Sequence, residues 1–247
     1  MNKDQLDIKL IALDMDGTLL NEVHKVSEAN REAIRQAEAK GVKVVLSTGR
    51  SLATCKEYAV SLQLSSYLVT VNGAEVWGPD GELVARNPVS IPLMKWMHDL
   101  STEHKTKFWA ISTNGVFREK MPDDFDQREW LKFGFDIPND EIRAAILALL
   151  KEKGELEVSN SSPTNIEVNS VGINKAAALN QVCDLLSIKM ENVMAVGDSL
   201  NDILMIKEAG LGIAMGNAQD VVKEAADWVT APNTEDGVAK AIQKWVL

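Results

Sequence analysis

Short apolar runs alternate with helical patterns at both ends of the chain, and this alternation constrains the fold more than any other feature. Near the start, apolar runs at 10–13, 42–46 and 67–71 are separated by segments with helical periodicity. Near the end, the same rhythm resumes with runs at 193–196 and 211–214. Strands joined by helices of this length form right-handed βαβ units with a parallel sheet covered on both faces. We therefore predict an α/β fold with a doubly wound, mostly parallel sheet.

A change of rhythm in the middle of the chain predicts an inserted unit. Five of the seven prolines lie between 88 and 163, and strands and helices no longer follow the βαβ order there. The segment 117–135, rich in charged and aromatic residues, is predicted to be a loop. We predict that residues 1–80 and 171–247 form a core domain, and that a smaller α+β cap domain is inserted between them at 81–170.

Size and charge narrow the classes of function. The 247 residues are 45% hydrophobic and 25% charged, which is typical of a globular protein. A formal net charge of −10 gives no general footprint for nucleic acid or an anionic membrane, so neither partner is predicted, nor is an obligate protein partner. No apolar run approaches the ~20 residues that cross a bilayer, and the start MNKDQLDIKLIALD becomes charged too early for a signal peptide. With only two cysteines, the sequence predicts a cytoplasmic protein without disulfides.

Two acidic residues follow directly after the first predicted strand. Asp14 and Asp16 are separated by one residue in the sequence DMDGT. Ligands of open α/β sheets bind beyond the carboxyl ends of the strands, so both carboxylates are expected where chemistry takes place. They could hold a hard cation, or divide the roles of nucleophile and acid–base between them. Taken alone, they also suit an ordinary turn before Gly17, so the rest of the sequence has to decide.

Three further groups of polar residues are predicted at the same edge of the sheet. Residues 47–50 (STGR) follow the second strand and can bind phosphate oxygens through a hydroxyl and backbone N–H groups. Lys175 opens a helix, where a cation opposes the helix dipole, and this position hints at a nearby anion. Residues 197–202 (GDSLND) offer carboxylate and amide oxygens of the kind that suit Mg²⁺. Each group alone also has a plain structural explanation: a strand-to-helix turn, a solvated lysine or a capped turn.

Taken in order, DMDGT, STGR, a lysine after Ile173-Asn174, and GDSLND resemble the motifs of the haloacid dehalogenase (HAD) superfamily. The sequence is most similar to the Cof-type sugar-phosphatase branch, which carries its cap between the second and third motifs, and the segment 210–242 also resembles that branch. The resemblance covers residues 7–80 and 166–245. It implies a Rossmann-like core with a C2-type cap, and a Mg²⁺-dependent phosphatase that hydrolyses small phosphorylated metabolites such as sugar phosphates, nucleotides or cofactor precursors.

The resemblance also implies a role for each site residue. Asp14 would attack phosphorus and form an aspartyl phosphate, while Asp16 would protonate the leaving oxygen and then activate water. Thr48 and Lys175 would hold the phosphoryl oxygens. The other implied positions are Gly49, Asn72 and Asn201 for substrate, with Gly73 beside the cap hinge, and Asp14, the Asp16 carbonyl, Asp198 and, in support, Asp202 for Mg²⁺.

Some features limit what the resemblance implies. Ala176 follows Lys175 where the family commonly has glycine, and the cap is shorter than many in the branch, so no particular substrate is predicted. Two other functions stay open: a phosphomutase that returns the phosphoryl group to a second hydroxyl, and a phosphometabolite-binding protein without catalysis. The intact acidic and lysine set argues against a pure binder. The residues predicted to be structural are His24, His98, His104, Trp96, Trp109 and Trp130.

Overall fold

The computed structural model describes residues 6–247, which form two β-sheets with helices packed against them. Residues 1–5 lie outside the described residues. They belong to the predicted core domain and begin the segment whose charge argues against a signal peptide. No helix within residues 6–247 is long and apolar enough to cross a membrane.

Residues 6–86 form five strands and two α-helices. Ser27 caps the first helix, because its side chain accepts a hydrogen bond from the backbone N–H of Asn30. Gly41 follows that helix with φ +86°, a conformation that glycine adopts without strain. The elements are β1 (Leu10–Leu13), α1 (Glu28–Ala39), β2 (Lys43–Ser47), α2 (Leu52–Ser61), β3 (Leu68–Thr70), β4 (Glu75–Trp77) and β5 (Leu83–Arg86).

The middle of the chain forms five strands and two helices. They are α3 (Ile91–Glu103), β6 (Lys107–Ser112), β7 (Gly115–Arg118), β8 (Trp130–Asp136), α4 (Asp140–Lys153), β9 (Leu156–Ser159) and β10 (Asn165–Ser170). The prediction of a loop over 117–135 is wrong, since β8 is the central strand of the second sheet. Lys132 and Gly134 interrupt its apolar residues, and this obscures the alternation that would predict a strand.

The last part of the chain returns to the βα order. Asn174 caps its first helix by accepting a hydrogen bond from the backbone N–H of Ala177. The elements are α5 (Lys175–Leu186), β11 (Val193–Gly197), α6 (Ile203–Glu208), β12 (Leu211–Ala214), α7 (Asp220–Ala225), β13 (Trp228–Val229) and α8 (Gly237–Trp245).

The larger sheet has eight strands in the order β13-β12-β11-β1-β2-β3-β4-β5. Pairing is parallel from β13 to β3 and antiparallel for β4 and β5. Both faces are covered: Ile11 lies in one apolar cluster with Ile34 of α1, whereas its neighbour Ala12 lies in another with Leu179 of α5. The strand order reverses at β1, which pairs with β2 on one side and β11 on the other. The predicted doubly wound, mostly parallel α/β fold is confirmed.

The smaller sheet is antiparallel, with the strand order β7-β6-β8-β10-β9. Helices α3 and α4 contribute to the apolar cluster on one of its faces. Its other face contacts the carboxyl edge of the larger sheet, where Ile111 and Leu131 pack with Val71 and Ala74. The predicted domain bounds stay a prediction. Strand pairing favours a first boundary after Arg86 rather than at residue 80, because β5 is hydrogen-bonded within the larger sheet.

Candidate active site

Polar residues from four segments meet at the carboxyl edge of the larger sheet. Asp14 follows β1, Thr48 follows β2, Asp198 follows β11, and Lys175 begins α5. Parallel strands end at the same edge, and the reversal of strand order at β1 opens a crevice there. The fold thereby brings three of the sequence motifs to β1 and its two neighbours.

Lys175 is the centre of this cluster. Its Nζ donates hydrogen bonds to Asp14 Oδ1 at 2.6 Å and to Asp202 Oδ1 at 2.7 Å, and its side chain is wholly buried. Burial acts to lower the pKa of Lys175, but the two carboxylates outweigh it and raise the pKa above its ordinary value. The anion that the helix position of Lys175 hinted at is therefore a pair of carboxylates.

Asp202 holds the loop between β11 and α6 in place. Its Oδ2 accepts hydrogen bonds from the backbone N–H groups of Asp198 and Ser199 at 3.0 and 3.1 Å. A Cβ on Gly197 would lie 2.4 Å from Cβ of Asp202, so only glycine allows this close approach. Asp202 thus fixes the position of Asp198 as well as pairing with Lys175.

Three carboxylates in this cluster could hold a metal ion. One oxygen each from Asp14, Asp198 and Asp202 lie within 4.8 Å of one another. Against the single charge of Lys175, three ionised carboxylates would leave two negative charges unbalanced in a buried setting. An all-oxygen donor set with this imbalance fits a hard dication such as Mg²⁺. The side chain of Asp16 points elsewhere, to Arg50.

The pKa values of the acidic residues reflect the same crowding. Burial, followed by the charge of Asp202, raises the pKa of Asp14 well above its ordinary value, and Lys175 offsets only part of this rise. Burial and Asp202 likewise raise the pKa of Asp198 to about 6, although Ser199 and Thr18 donate hydrogen bonds to its carboxylate. A bound cation would favour the ionised form of both residues.

Asp16 forms a separate ion pair with Arg50. Arg50 Nε donates to Asp16 Oδ2 at 2.7 Å and Nη2 donates to Oδ1 at 2.6 Å. Burial acts to raise the pKa of Asp16, but the hydrogen bonds and charge of Arg50 outweigh it, and the pKa lies below its ordinary value. His24 Nδ1 lies 3.7 Å from Asp16 Oδ1, and the Arg50 guanidinium lies over the ring of Tyr58. Asp16 is therefore ionised in this arrangement.

The sequence reasoning missed these partners of Asp16. The sequence assigns no role to Arg50, which ends the STGR motif, and predicts that His24 is structural. An arginine two residues after Thr48 is the one indication that the sequence offers, since it places a guanidinium at the same edge of the sheet.

The remaining predicted residues lie around the turn that follows β2. The Thr48 hydroxyl accepts a hydrogen bond from the backbone N–H of Arg50 at 3.1 Å. Asn201 Nδ2 donates to Asn72 Oδ1 at 3.3 Å, and Asn72 adopts φ +58° in the turn after β3. A Cβ on Gly49 would lie 2.9 Å from Asn72 Oδ1, so the absence of a side chain there lets the two loops approach. The structure thus brings Gly49, Asn72 and Asn201 together beside the acidic cluster.

The smaller sheet contributes a buried charged pair that sequence reasoning did not identify. Lys132 Nζ lies 3.2 Å from Glu167 Oε2 and donates to the backbone oxygen of Gly49 at 2.9 Å. Asn72 Nδ2 donates to Glu167 Oε2 at 2.6 Å, and the Ser161 hydroxyl donates to Oε1 at 2.9 Å. Burial acts to raise the pKa of Glu167, but Lys132 and these hydrogen bonds lower it below its ordinary value. Each of these charges stands between two apolar residues of its strand, and this is the sequence feature that could have revealed them.

A cavity of about 450 Å³ lies between the two sheets and opens onto Asp14 and Asp16. Small-molecule sites have volumes of about 300–1,000 Å³. The cavity therefore has room for a metabolite considerably larger than a phosphate group. Its lining from the smaller sheet and adjoining segments includes Trp109, Ile111, Val116, Arg118, Lys132, Ser161 and Glu167.

The doubly wound fold and the acidic cluster at β1, where the strand order reverses, define a class of enzymes. A family model of haloacid dehalogenase-like hydrolases matches two overlapping stretches, residues 11–145 and 121–242. The chain therefore belongs to the haloacid dehalogenase-like hydrolases, and it is a phosphatase of that superfamily. The Cof-type resemblance of the motifs is confirmed.

The chain is similar to individual members of this class along almost its whole length. The chain is 59% identical over 247 residues to the 5-amino-6-(5-phospho-D-ribitylamino)uracil phosphatase YcsE of Bacillus subtilis (strain 168), which covers 100% of this chain and 99% of the relative. A solved haloacid dehalogenase-like hydrolase from B. subtilis is similar with a TM-score of 0.88 and 27% identity, covering 96% of this chain and 99% of that chain. The HAD subclass IIB sugar phosphatase BT4131 is similar with a TM-score of 0.81 and 25% identity, covering 95% and 98%.

Proposed function

We propose that the protein is a Mg²⁺-dependent phosphatase that acts through a covalent aspartyl phosphate on Asp14. The observation that carries this proposal is the position of Asp14, which lines the cavity, lies 2.6 Å from Lys175 and belongs to a cluster of three carboxylates. Phosphoryl transfer depends mainly on positioning and on neutralising charge, and both are available here.

In the first step, a carboxylate oxygen of Asp14 attacks phosphorus while the bond from phosphorus to the ester oxygen breaks. The leaving oxygen takes a proton from Asp16, and the alcohol departs. Lys175 and Thr48 hold the oxygens of the transferring group, and Gly49, Asn72 and Asn201 line the substrate site. Asp16 must carry a proton for this step, so its ion pair with Arg50 has to open when the substrate binds.

In the second step, water attacks phosphorus and the bond to Asp14 breaks, which releases inorganic phosphate. Asp16 takes the proton from the attacking water, and its ionised state beside Arg50 suits this role as base. Bound by Asp14, Asp198 and Asp202, with the backbone carbonyl of Asp16 as a further ligand, Mg²⁺ would neutralise phosphoryl charge and keep Asp14 ionised.

We further propose 5-amino-6-(5-phospho-D-ribitylamino)uracil, or a close analogue, as the substrate. The support is the 59% identity along the whole chain to a phosphatase named for that compound. The cavity volume supports a substrate of this class, because it exceeds what a phosphate and a short alcohol require.

The proposal is tested by phosphate release from this compound and from a panel of sugar phosphates and nucleotides, with Mg²⁺ and with excess chelator. We expect Mg²⁺-dependent release, with the ribitylaminouracil phosphate hydrolysed at the highest kcat/KM. Undiminished rates in chelator would overturn the metal assignment. Isomerised phosphate ester in place of free phosphate would indicate a phosphomutase, and binding without any turnover would indicate a binding protein.

A further inference from the structure

The face of the smaller sheet that meets the cavity carries two rows of side chains. Residues directly opposite each other on neighbouring strands share a face. Trp109 of β6 is paired with Arg118 of β7 and with Gly134 of β8, and Gly134 is paired with Glu167 of β10. The next row along the strands joins Val116, Ile111 and Lys132. Every side chain in these two rows lines the cavity; Gly134 has none.

Lys132 and Glu167 form the end of this surface that contacts Gly49 and Asn72. Lys132 donates to the backbone oxygen of Gly49, and Glu167 accepts a hydrogen bond from Asn72. Both side chains are nearly fully buried, with exposed fractions of 3% and 6%. This end of the surface is therefore polar, rigidly held and next to the residues that would bind the phosphoryl group.

Trp109 forms the opposite end, and Gly134 makes room for it. A Cβ on Gly134 would lie 2.1–2.6 Å from three carbons of the indole ring, so the ring lies over the glycine. Two strand spacings, about 10 Å, separate the β10 position of Glu167 from the β6 position of Trp109. That separation is close to the length of an extended five-carbon chain with its substituents.

Arg118 lies beside Trp109 with an unused guanidinium. Its side chain is exposed, and no other residue within 6–247 forms a hydrogen bond or ion pair with that side chain. A free arginine next to an aromatic ring suits a flat ligand that bears carbonyl acceptors, because the guanidinium donates in a plane and the ring supplies a stacking surface. Trp109, which the sequence predicts to be structural, therefore also suits a role in ligand binding.

We propose that Trp109 and Arg118 bind the planar heterocycle of the substrate: the ring stacks on the indole, and its carbonyl oxygens accept hydrogen bonds from Arg118. Lys132 and Glu167 then face the hydroxyl groups of the chain that joins the heterocycle to the phosphate. The substrate class is a phosphorylated polyol attached to a carbonyl-bearing heterocycle. This inference rests on the proposed phosphatase function and adds the residues that select the substrate.

The test compares two substrates that differ only at the far end: 5-amino-6-(5-phospho-D-ribitylamino)uracil and D-ribitol 5-phosphate, which lacks the ring. We expect Trp109→Leu to raise KM for the heterocyclic substrate about tenfold or more, since stacking on an aromatic side chain contributes that much. Its kcat, and both constants for D-ribitol 5-phosphate, should not change. Trp109→Phe should restore most of the affinity. Trp96→Leu is the matched control, because Trp96 packs against the apolar cluster on the other face of the sheet.

Arg118→Met supplies a second test that is insensitive to folding, because the side chain is exposed. We expect it to raise KM for the heterocyclic substrate severalfold and to leave D-ribitol 5-phosphate unaffected. Equal losses on both substrates in the Trp109→Leu variant, or no loss on either in both variants, would overturn the inference. A wild-type enzyme that hydrolyses D-ribitol 5-phosphate but not the heterocyclic compound would overturn it while leaving the phosphatase function intact. Failure to hydrolyse any phosphate ester would instead overturn the proposed function.

Discussion

Arg50 holds the carboxylate of Asp16 through two parallel hydrogen bonds, from Nε to Oδ2 at 2.7 Å and from Nη2 to Oδ1 at 2.6 Å. This two-point contact orients Asp16 and favours its ionised form, the state in which Asp16 would act as the base of the second step. Lysine has the same charge but cannot make two parallel hydrogen bonds from a planar group.

We therefore expect Arg50→Lys to lower kcat about tenfold or more, within the range that a positioned acid–base group contributes. The KM should change much less, since the charge at this position is kept. Steady-state kinetics check both constants. Arg31→Lys is a control, because within residues 6–247 its guanidinium donates hydrogen bonds only to Ser61, an exposed residue. A fall in kcat of the same size in that control would contradict the assignment.

Replacing Asp14 with asparagine is expected to stop turnover while the fold is kept. An amide does not attack phosphorus, and losing a covalent nucleophile lowers kcat by roughly 10³-fold or more. The variant should also be at least as stable as the wild type without metal, because it removes one of three crowded carboxylates. Phosphate release and urea unfolding measure the two effects. Asp220→Asn, at an almost fully exposed side chain, is the matched control. Full activity in Asp14→Asn would exclude the covalent mechanism.

Lys175→Met is expected to destabilise the metal-free protein by about 3–5 kcal/mol near neutral pH, because it leaves Asp14 and Asp202 buried without a counter-charge. Protonation of one carboxylate relieves the repulsion, so the loss should be smaller at pH 5 than at pH 7.5. Urea unfolding at both pH values checks this. Lys189→Met removes a surface ion pair and should change stability by no more than ~1 kcal/mol. An equal, small effect in both variants would contradict the role of Lys175 in the cluster.

Stabilisation by Mg²⁺ is expected to depend on pH through Asp198. Burial, followed by the charge of Asp202, raises the pKa of Asp198 from 3.8 to about 6, so the folded metal-free protein binds more protons in that window than the unfolded chain. The contribution of this group to stability is therefore present below pH 3.8 and lost as the pH rises through about 6. Metal binding requires the ionised carboxylate and displaces the proton.

We accordingly expect Mg²⁺ to raise the unfolding temperature more at pH 7.5 than at pH 5. Thermal unfolding with and without Mg²⁺ at the two pH values measures the difference. Asp198→Asn should show little Mg²⁺ stabilisation at either pH. A larger Mg²⁺ effect at pH 5 than at pH 7.5 would contradict the assignment of Asp198 as a ligand.

Sequence patterns predicted elements well where local contacts decide them. Helix α4 is an example, because its ends are set locally: the Asn139 side chain accepts a hydrogen bond from the backbone N–H of Ile142, and Gly154 adopts φ +69° just past the last turn. The sequence does not predict strand β8, because contacts with distant parts of the chain decide two of its residues. Lys132 and Gly134 face the cavity side of the sheet, where a buried charge and an absent side chain follow from tertiary contacts with Gly49 and Trp109. Local periodicity contains no information about such contacts.

The alternation of apolar runs and helical patterns by itself determined the α/β order of the core, and the motifs determined the edge at which the site lies and the set of acidic and lysine residues there. They could do so because a strand's end is a local feature and parallel strands bring their ends to one edge. The tertiary structure alone decided which side chains pair. Lys175 meets Asp14 from 161 residues away, and Arg50 meets Asp16 across two loops. Trp109 lies over Gly134 because of strand register, which no spacing within one segment encodes.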